Sequence, residues 1–553
     1  MRVCILDIPQ ELLTRILCGL DAVSLLKFAM TCKYSCKLYE ESSILQYIVE
    51  LYLNGVHDPD ITSLLSRPVS YPDLINKLHD FRKAWTSPKW NLCQSLEMES
   101  PSIPFEYVSG LLVQCSDDSL EIATLYPELS NDRTINRTTN FPVEQCYFAV
   151  DPSQDLIVLI ENDKSLIPVN KSRKAYIHIH TLSSDSPHPL ARQSAPLEFN
   201  ISRIPNTSDN NGMHDTQLQI VHNILMLQFR KGRPFIDGTL AILRVLIWDW
   251  TTSKLILNIS SSAEEGAILP LEYCQVSLLT PDYFFTTYPA ESGAIRFYRL
   301  QSDTESSPEL PSSPIHLATL HFPPVYRNLR MEAGPIETQP TSTREPFVLN
   351  DEDRIHAFSL DYIYCDDDGQ WHSAMPISMY LHQRVLMTYC TAAWATYTKT
   401  LKGQYSKLQV PWAEWGPQNT RIVFPSGTLA YPGRLNMLNS FVHGQRVMCP
   451  GPESYDGTEY GRRTVQPHRY NNMAVLDFSR AAVLTANGDP PFTHGTTTGE
   501  LIPPTKITTS TLDPRVYQDD VETCLPCVAF NAGMRQPYDQ YLMSTEGVVG
   551  ILV

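Results

Sequence analysis

Between Pro9 and Leu20 the apolar residues Leu12, Leu13, Ile16, Leu17 and Leu20 recur at spacings of three and four, which predicts a helix carrying them on one broad stripe. Pro9 suits the first turn, where its missing N–H costs nothing, and Glu11 complements the positive end of the helix dipole. Asp21 is placed to cap a second helix through Leu25, Leu26, Phe28 and Ala29 towards Cys32. A third helix is expected over residues 42–53, with Asn54-Gly55 as its stop. Three short helices bury too little to be comfortable alone, so part of their surface should meet a partner. After a break at His57-Asp58-Pro59-Asp60, Ser70 caps a linker helix that carries Leu74, Ile75, Leu78, Phe81, Ala84 and Trp85. Its stripe is expected to clamp onto the first β-unit and hold it as a rigid brace.

Beyond residue 100 the period changes to short apolar runs separated by Pro, Asn, Asp, Ser and Gly, among them 107–115, 146–151, 156–161, 176–182, 218–229, 245–250, 283–288, 294–300, 316–322 and 354–365. No amphipathic helix is read among them. The prediction is an all-β array whose many strands close into one ring, because no linker divides residues 100–553. In VLIWDWTTSKLILN a strand should end at Trp248-Asp249 and a second begin at Lys254 or Leu255, as in the outer hairpin of a WD-type blade. No regular repeat supports that single copy. Residues 547–553 are expected either to share a blade with the strand near 107–113 and shut the ring, or to be a frayed end.

Composition adds limits. The length, 553 residues, exceeds what one core usually supports, and 42% hydrophobic with 19% charged residues places the chain among ordinary globular proteins. Of the formal charge of −17, nearly all lies beyond residue 85, where 34 Lys+Arg face 50 Asp+Glu. Such a field argues against nucleic acid and against an anionic membrane surface. No secretory signal and no apolar stretch of membrane-spanning length is read, and 13 cysteines without regular spacing suit a reducing cytoplasmic or nuclear compartment.

The run IPQELLTRILCGLDAVSLLKFAMTCKYSCKL resembles an F-box, with Ile8-Pro9, Glu11, Leu12-Leu13, Ile16-Leu17, Leu20, Leu25 and Cys32 in the family's slots, while Thr31 and Ser35 stand where Val and Trp are common. The alternative is a helical bundle that merely caps the β-domain. The resemblance implies a three-helix module that binds a Skp-type adaptor and, through it, a cullin-RING ligase, with Ile8, Pro9, Leu12, Ile16, Leu20 and Leu25 as adaptor contacts. The whole chain is similar to a fungal group of F-box proteins with a divergent WD-like propeller. The similarity runs through FAVDPSQDLIVLIE, FRKAWTSPKW, VLIWDW, VPWAEWGPQNTRIV, FVHGQRVM and AVLDFS. The expected fold is therefore mainly β with an α-helical N-terminus. Residues 1–55 form the F-box, 56–95 the linker-helix region and 96–553 a β-propeller of seven blades, or eight.

Chemistry is sparse. No phosphate-cradling loop, zinc-helix motif or nucleophile elbow is present. Cys524 and Cys527 read as structural thiols, Cys32 and Cys36 as packing, and Asp366–Gly369 as a hairpin turn rather than a calcium loop. Arg230-Lys231 with Arg233, and Arg462-Arg463 with His468 and Arg469, could grip a phosphorylated peptide but read better as solvated charges. Trp371, Trp394, Trp412 and Trp415 either line a recognition surface or fill gaps between blades. No catalytic residue, metal ligand or cofactor is assigned. The expected function is the non-catalytic substrate-recognition subunit of a Skp-cullin-F-box ubiquitin ligase, its propeller binding an unknown protein. The alternatives are a propeller hydrolase or lyase and an F-box scaffold outside a ligase.

Overall fold

The computed structural model describes residues 8–58, 70–86, 105–108, 110–115, 120–125, 136–139, 147–162, 173–184, 186–192, 195–201, 213–231, 242–262, 267–270, 274–288, 292–301, 313–325, 347–360, 363–365, 371–373, 377–400, 405–423, 442–450, 473–487, 499–507, 517–531, 540–543 and 548–551. Four helices open the described chain: α1 (Gln10–Leu17), α2 (Ala22–Ala29), α3 (Lys33–Glu41) and α4 (Ser43–Asn54). The expected caps form. The Asp21 carboxylate accepts from the Ser24 amide at 2.9 Å, and Gly55 ends α4 at φ 63°, a left-handed conformation that costs glycine little. The count of three helices is corrected by α3, which starts where the Cys32 thiol accepts from the Ser35 amide and buries only Ser35 and Leu38. Cys32 and Cys36 are exposed on it, not packed.

Helix α5 (Tyr71–Thr86) lays Leu74 and Leu78 into the core of this module beside Leu13, Leu17, Leu25, Leu45 and Val49. Among the described residues its packing is with this module and with the last large sheet rather than with the first β-unit. The guanidinium of Arg446, from the last large sheet, lies 5.0 Å from the Phe81 ring centre and 5.1 Å from that of Trp85. The expectation followed proximity in sequence; a ring brings its last unit as near to the amino end as its first.

Six sheets of three to five strands follow among the described residues, and they make a β-propeller region of six blades rather than the seven expected. The first four are meanders: Phe105–Val108, Leu111–Cys115, Leu120–Thr124 and Asn136–Thr139; Tyr147–Asp151, Leu156–Asn162, Arg173–Thr181 and Leu197–Ile201; Met213–Val221, Ile224–Lys231, Ile242–Asp249 and Lys254–Ser260; Val276–Leu278, Tyr283–Tyr288, Ala294–Arg299 and Ile315–His321. A parallel strand, Leu408–Val410, extends the fourth. The fifth holds Ile355–Leu360, Ile377–His382 and Thr420–Val423, and the sixth Val442–His443, Arg446–Pro450, Met473–Asp477, Cys527–Asn531 and Glu500–Ile502. The opening strands of the first four sheets lie against one another in succession. Neighbouring sheets share cores: Val113 with Ile157, Val158 with Leu227, Met226 with Val276, Phe285 with Phe358, and Ile355 with Leu476.

The count falls short of seven because the later chain spends apolar runs on helices and two-stranded ribbons. Three helices interrupt it, α6 (Gln383–Lys399), α7 (Trp412–Asn419) and α8 (Arg480–Ala486), where none was expected. Val385, Leu386, Cys390 and Ala393 form the inward stripe of α6, disguised by the threonines and aromatics around them. Strand Val548–Ile551 pairs with Gln540–Met543, and no pairing with the first sheet occurs among the described residues. The run near Tyr107 is itself a hairpin, turning at Gly110 with φ 76°. The hairpin at Trp248-Asp249 forms as expected, Asp249 opposite Lys254, with the Asp249 carboxylate accepting from the Thr251 and Thr252 amides.

The helical module and the propeller meet in a continuous joint. Val56-His57 pairs antiparallel with Val348-Leu349, and the Asn350 amide donates to the Gly55 carbonyl at 2.9 Å. Ala481 of α8 sits in the module's core. At the centre is Asp353, 3% exposed, which accepts a bidentate pair from Arg480 at 2.7 and 2.9 Å and a further bond from Arg384. Arg480 also donates to the Tyr52 carbonyl and lies 4.1 Å over the Tyr52 ring. Asp353→Asn strands two cations whose side chains stay 24% and 37% exposed, so water softens the loss. We expect about 2 kcal/mol of destabilisation, read as a lowered urea midpoint.

Candidate adaptor-docking surface

Helix α1 presents two parallel stripes. Leu13 and Leu17, four apart, are 0% and 2% exposed and complete the module's core; Leu12 and Ile16, also four apart, are 53% and 52% exposed. Leu20 at 39% continues the outer stripe, Pro9 is exposed and Ile8 is intermediate. Leu25 departs from the expected contact set. At 1% exposed it lies inward with Ala22 and Ala29, because α2 is pressed between α3 and α4 and needs its own inner face there.

Three exposed residues extend the patch without having been expected: Val23 at 38%, Met30 at 85% and Tyr34 at 42%. A signal existed, since Val23 follows Leu20 by three and Tyr34 follows Met30 by four. Among the described residues eight large hydrophobics are exposed, and six of them fall between Leu12 and Tyr34. Leaving such side chains in water costs roughly 25 cal/mol per Å² of apolar surface that a partner would cover.

Residues 5–38 match the family described as F-box domain. The amino-terminal module is an F-box domain. An F-box domain implies binding of a Skp-type adaptor and a substrate-adaptor role in a Skp-cullin-F-box ligase, and F-box proteins are typically non-catalytic subunits of such ligases. No curated protein matches the chain. Among solved structures, the chain is similar to one in a complex of KlAtg21 with coiled-coil of AgAtg16, at 12% identity over 49% of this chain and 77% of that one, with a TM-score of 0.24. The propeller assignment rests on the six sheets.

The remaining candidates fall elsewhere. Arg230 is 4% exposed and donates to the Cys274 carbonyl at 2.7 Å, so it is neither a solvated charge nor open to a peptide. Arg233, Arg462, Arg463, His468 and Arg469 lie outside the described residues. So do Asp366–Gly369 themselves, but the strands on either side pair as a hairpin, Cys365 opposite Trp371. Trp415 is fully buried and Trp412 is 8% exposed; both belong to the core of the fourth and fifth sheets. Trp394 is partly buried on α6. Cys527 is buried, and no cluster of three metal-ligand side chains occurs among the described residues. Among these residues no helix is long and apolar enough to cross a membrane. The histidines with the most depressed pKa values, His316, His356, His382 and His443, owe the shift first to burial.

Proposed function

We propose that this chain is the substrate-recognition subunit of a Skp-cullin-F-box ubiquitin ligase, with residues 1–55 as the docking module, 56–95 as the brace and 96–553 as the receptor. Ile8, Pro9, Leu12, Ile16 and Leu20 meet the adaptor, and the propeller holds a protein to be ubiquitinated. Ubiquitin transfer is left to the partners. The observation that carries this reading is the gathering of exposed apolar side chains between Leu12 and Tyr34, within and beside the F-box slots. Helix packing onto such a patch is an ordinary mode of recognition. The Trp248-Asp249 hairpin supports the finer reading of a divergent WD-like propeller of the fungal F-box type.

The joint also supports the receptor role. A ligase has to hold its substrate at a set distance from the transfer site, and the buried Asp353 cluster with the shared α8 core ties the module to the propeller. Reconstitution tests the proposal. The chain, a Skp-type adaptor and a cullin should elute together as one complex. Elution with the adaptor alone selects the scaffold reading, and elution with neither overturns both.

A further inference from the structure

In strand Arg173–Thr181 of the second sheet, Ile177 and Ile179 pack into the core shared with the third sheet, so Tyr176, His178 and His180 lie on the other face. Histidines two positions apart on a strand are about 7 Å apart at the backbone. Here their rings meet edge to face with centres 6.0 Å apart, and both stay partly exposed. Glu161 and Glu198 stand opposite Tyr176 on the two neighbouring strands, which puts both carboxylates on the histidine face. The Glu161 carboxylate lies 2.8 Å from the His178 Nε2. Glu198 pairs with Lys174 at 2.6 Å, so that cation is already matched.

A histidine beside a carboxylate is by itself an ordinary surface pair, and the chain has another in His79 and Glu50, 3.2 Å apart. Two features set His178 apart. When its Nε2 donates to Glu161 the ring's lone pair is left on Nδ1, and a carboxylate behind the ring is the usual support of a metal-bound imidazole. A second imidazole also stands beside it at nearly the separation of a chelate. With metal–nitrogen bonds of about 2.0–2.1 Å, two rings on one tetrahedral ion have centres about 5 Å apart, so closing this pair takes a side-chain movement of about 1 Å. Two imidazoles are too few for a closed structural site, and they suit an open one that keeps water on the ion. The acidic field of the domain favours a cation there.

We propose that His178 and His180, with Glu161 behind them, chelate a divalent transition-metal cation such as Zn²⁺, whose remaining positions are filled by water. The site stands apart from the F-box and does not depend on the receptor role. Its ligands come from one strand of a four-stranded meander, so the separation of the two rings is set by the pleat rather than by a loop. Glu161, on the neighbouring strand, fixes the orientation of the first ring through the same sheet.

The test titrates ZnCl₂ into the full chain. Zn²⁺ should raise the urea midpoint, and calorimetry should show a site that His178→Ala or His180→Ala removes. Glu161→Gln should weaken that site about tenfold, as loss of a supporting carboxylate does, while keeping the shape of the side chain. His79→Gln, which breaks the lone pair with Glu50, should leave Zn²⁺ binding as it is. Mg²⁺ should not occupy the site, because it takes oxygen ligands rather than imidazole. Circular dichroism shows that each variant is folded, and Glu161→Gln decides the matter should an alanine loosen the strand. No effect of Zn²⁺ on the wild type, Zn²⁺ binding unchanged by His178→Ala and His180→Ala, its loss in His79→Gln, or equal binding of Mg²⁺ overturns the proposal.

Discussion

Leu12→Asp combined with Ile16→Asp abolishes capture of a Skp-type adaptor while the chain remains folded. Both side chains are about half exposed, and neither belongs to the module's core, so in the free chain the new carboxylates stay hydrated. The cost there is a few tenths of a kcal/mol each in helix propensity. In a complex the same carboxylates have to be stripped of water against an apolar partner, at several kcal/mol each. Two such penalties exceed what a patch of this kind supplies. The contrast is Leu13→Asp, one residue away and 0% exposed, which unfolds the module instead. Co-purification with the adaptor reads the first effect and helical circular dichroism the second. Undiminished capture by a double variant that melts like the wild type would sink the docking surface.

Why these neighbours behave oppositely is also why part of the site was readable in advance and part was not. Spacings of three and four place Leu12, Leu13, Ile16, Leu17 and Leu20 on one stripe, but a stripe wide enough to hold all five has two edges. Only tertiary contacts decide which edge is covered. Of the residues in F-box slots, Leu12, Ile16 and Leu20 stay exposed, whereas Leu25 satisfies the same pattern and is consumed by packing against α4. The propeller follows the same logic. Period-two runs announce strands, yet a single turn, as at Gly110, divides a run into a hairpin, and His222-Asn223 does so again between Val221 and Ile224. The blade count slipped because α6 is written in threonine and aromatic residues that favour strands; its helical period shows only through Leu386, Cys390, Ala393 and Tyr397.

Acidification from pH 7.5 to 5.5 should cost the folded chain about 4 kcal/mol, concentrated at the joint. His356, His382 and His443 are buried there beside Arg354, Arg384, Arg446 and Arg480, with Asp351, Asp353 and Asp477 as the neighbouring carboxylates. His356 shares a hydrogen bond with the Gln383 side chain at 3.0 Å, and His382 Nδ1 meets the Asp353 carbonyl at 2.9 Å. Burial first, and the arginines after it, pull their pKa values down to about 3, about 4 and about 3. In the unfolded chain each returns to about 6.5. The unfolded state therefore binds the additional protons, so the stabilisation is fully present above pH 6.5, declines as pH falls through it, and levels off only near the folded values. By pH 5.5 each histidine accounts for about 1.4 kcal/mol, giving the total for three. Urea midpoints at pH 7.5, 6.5 and 5.5 measure it, and replacing all three by Asn should flatten the profile even though the variant starts less stable. Equal midpoints at pH 7.5 and 5.5 would mean that these rings are protonated in the fold, which the surrounding guanidiniums forbid. Because the histidines lie where the F-box joins the propeller, the same loss loosens the attachment of receptor to docking module before it reaches the outer blades.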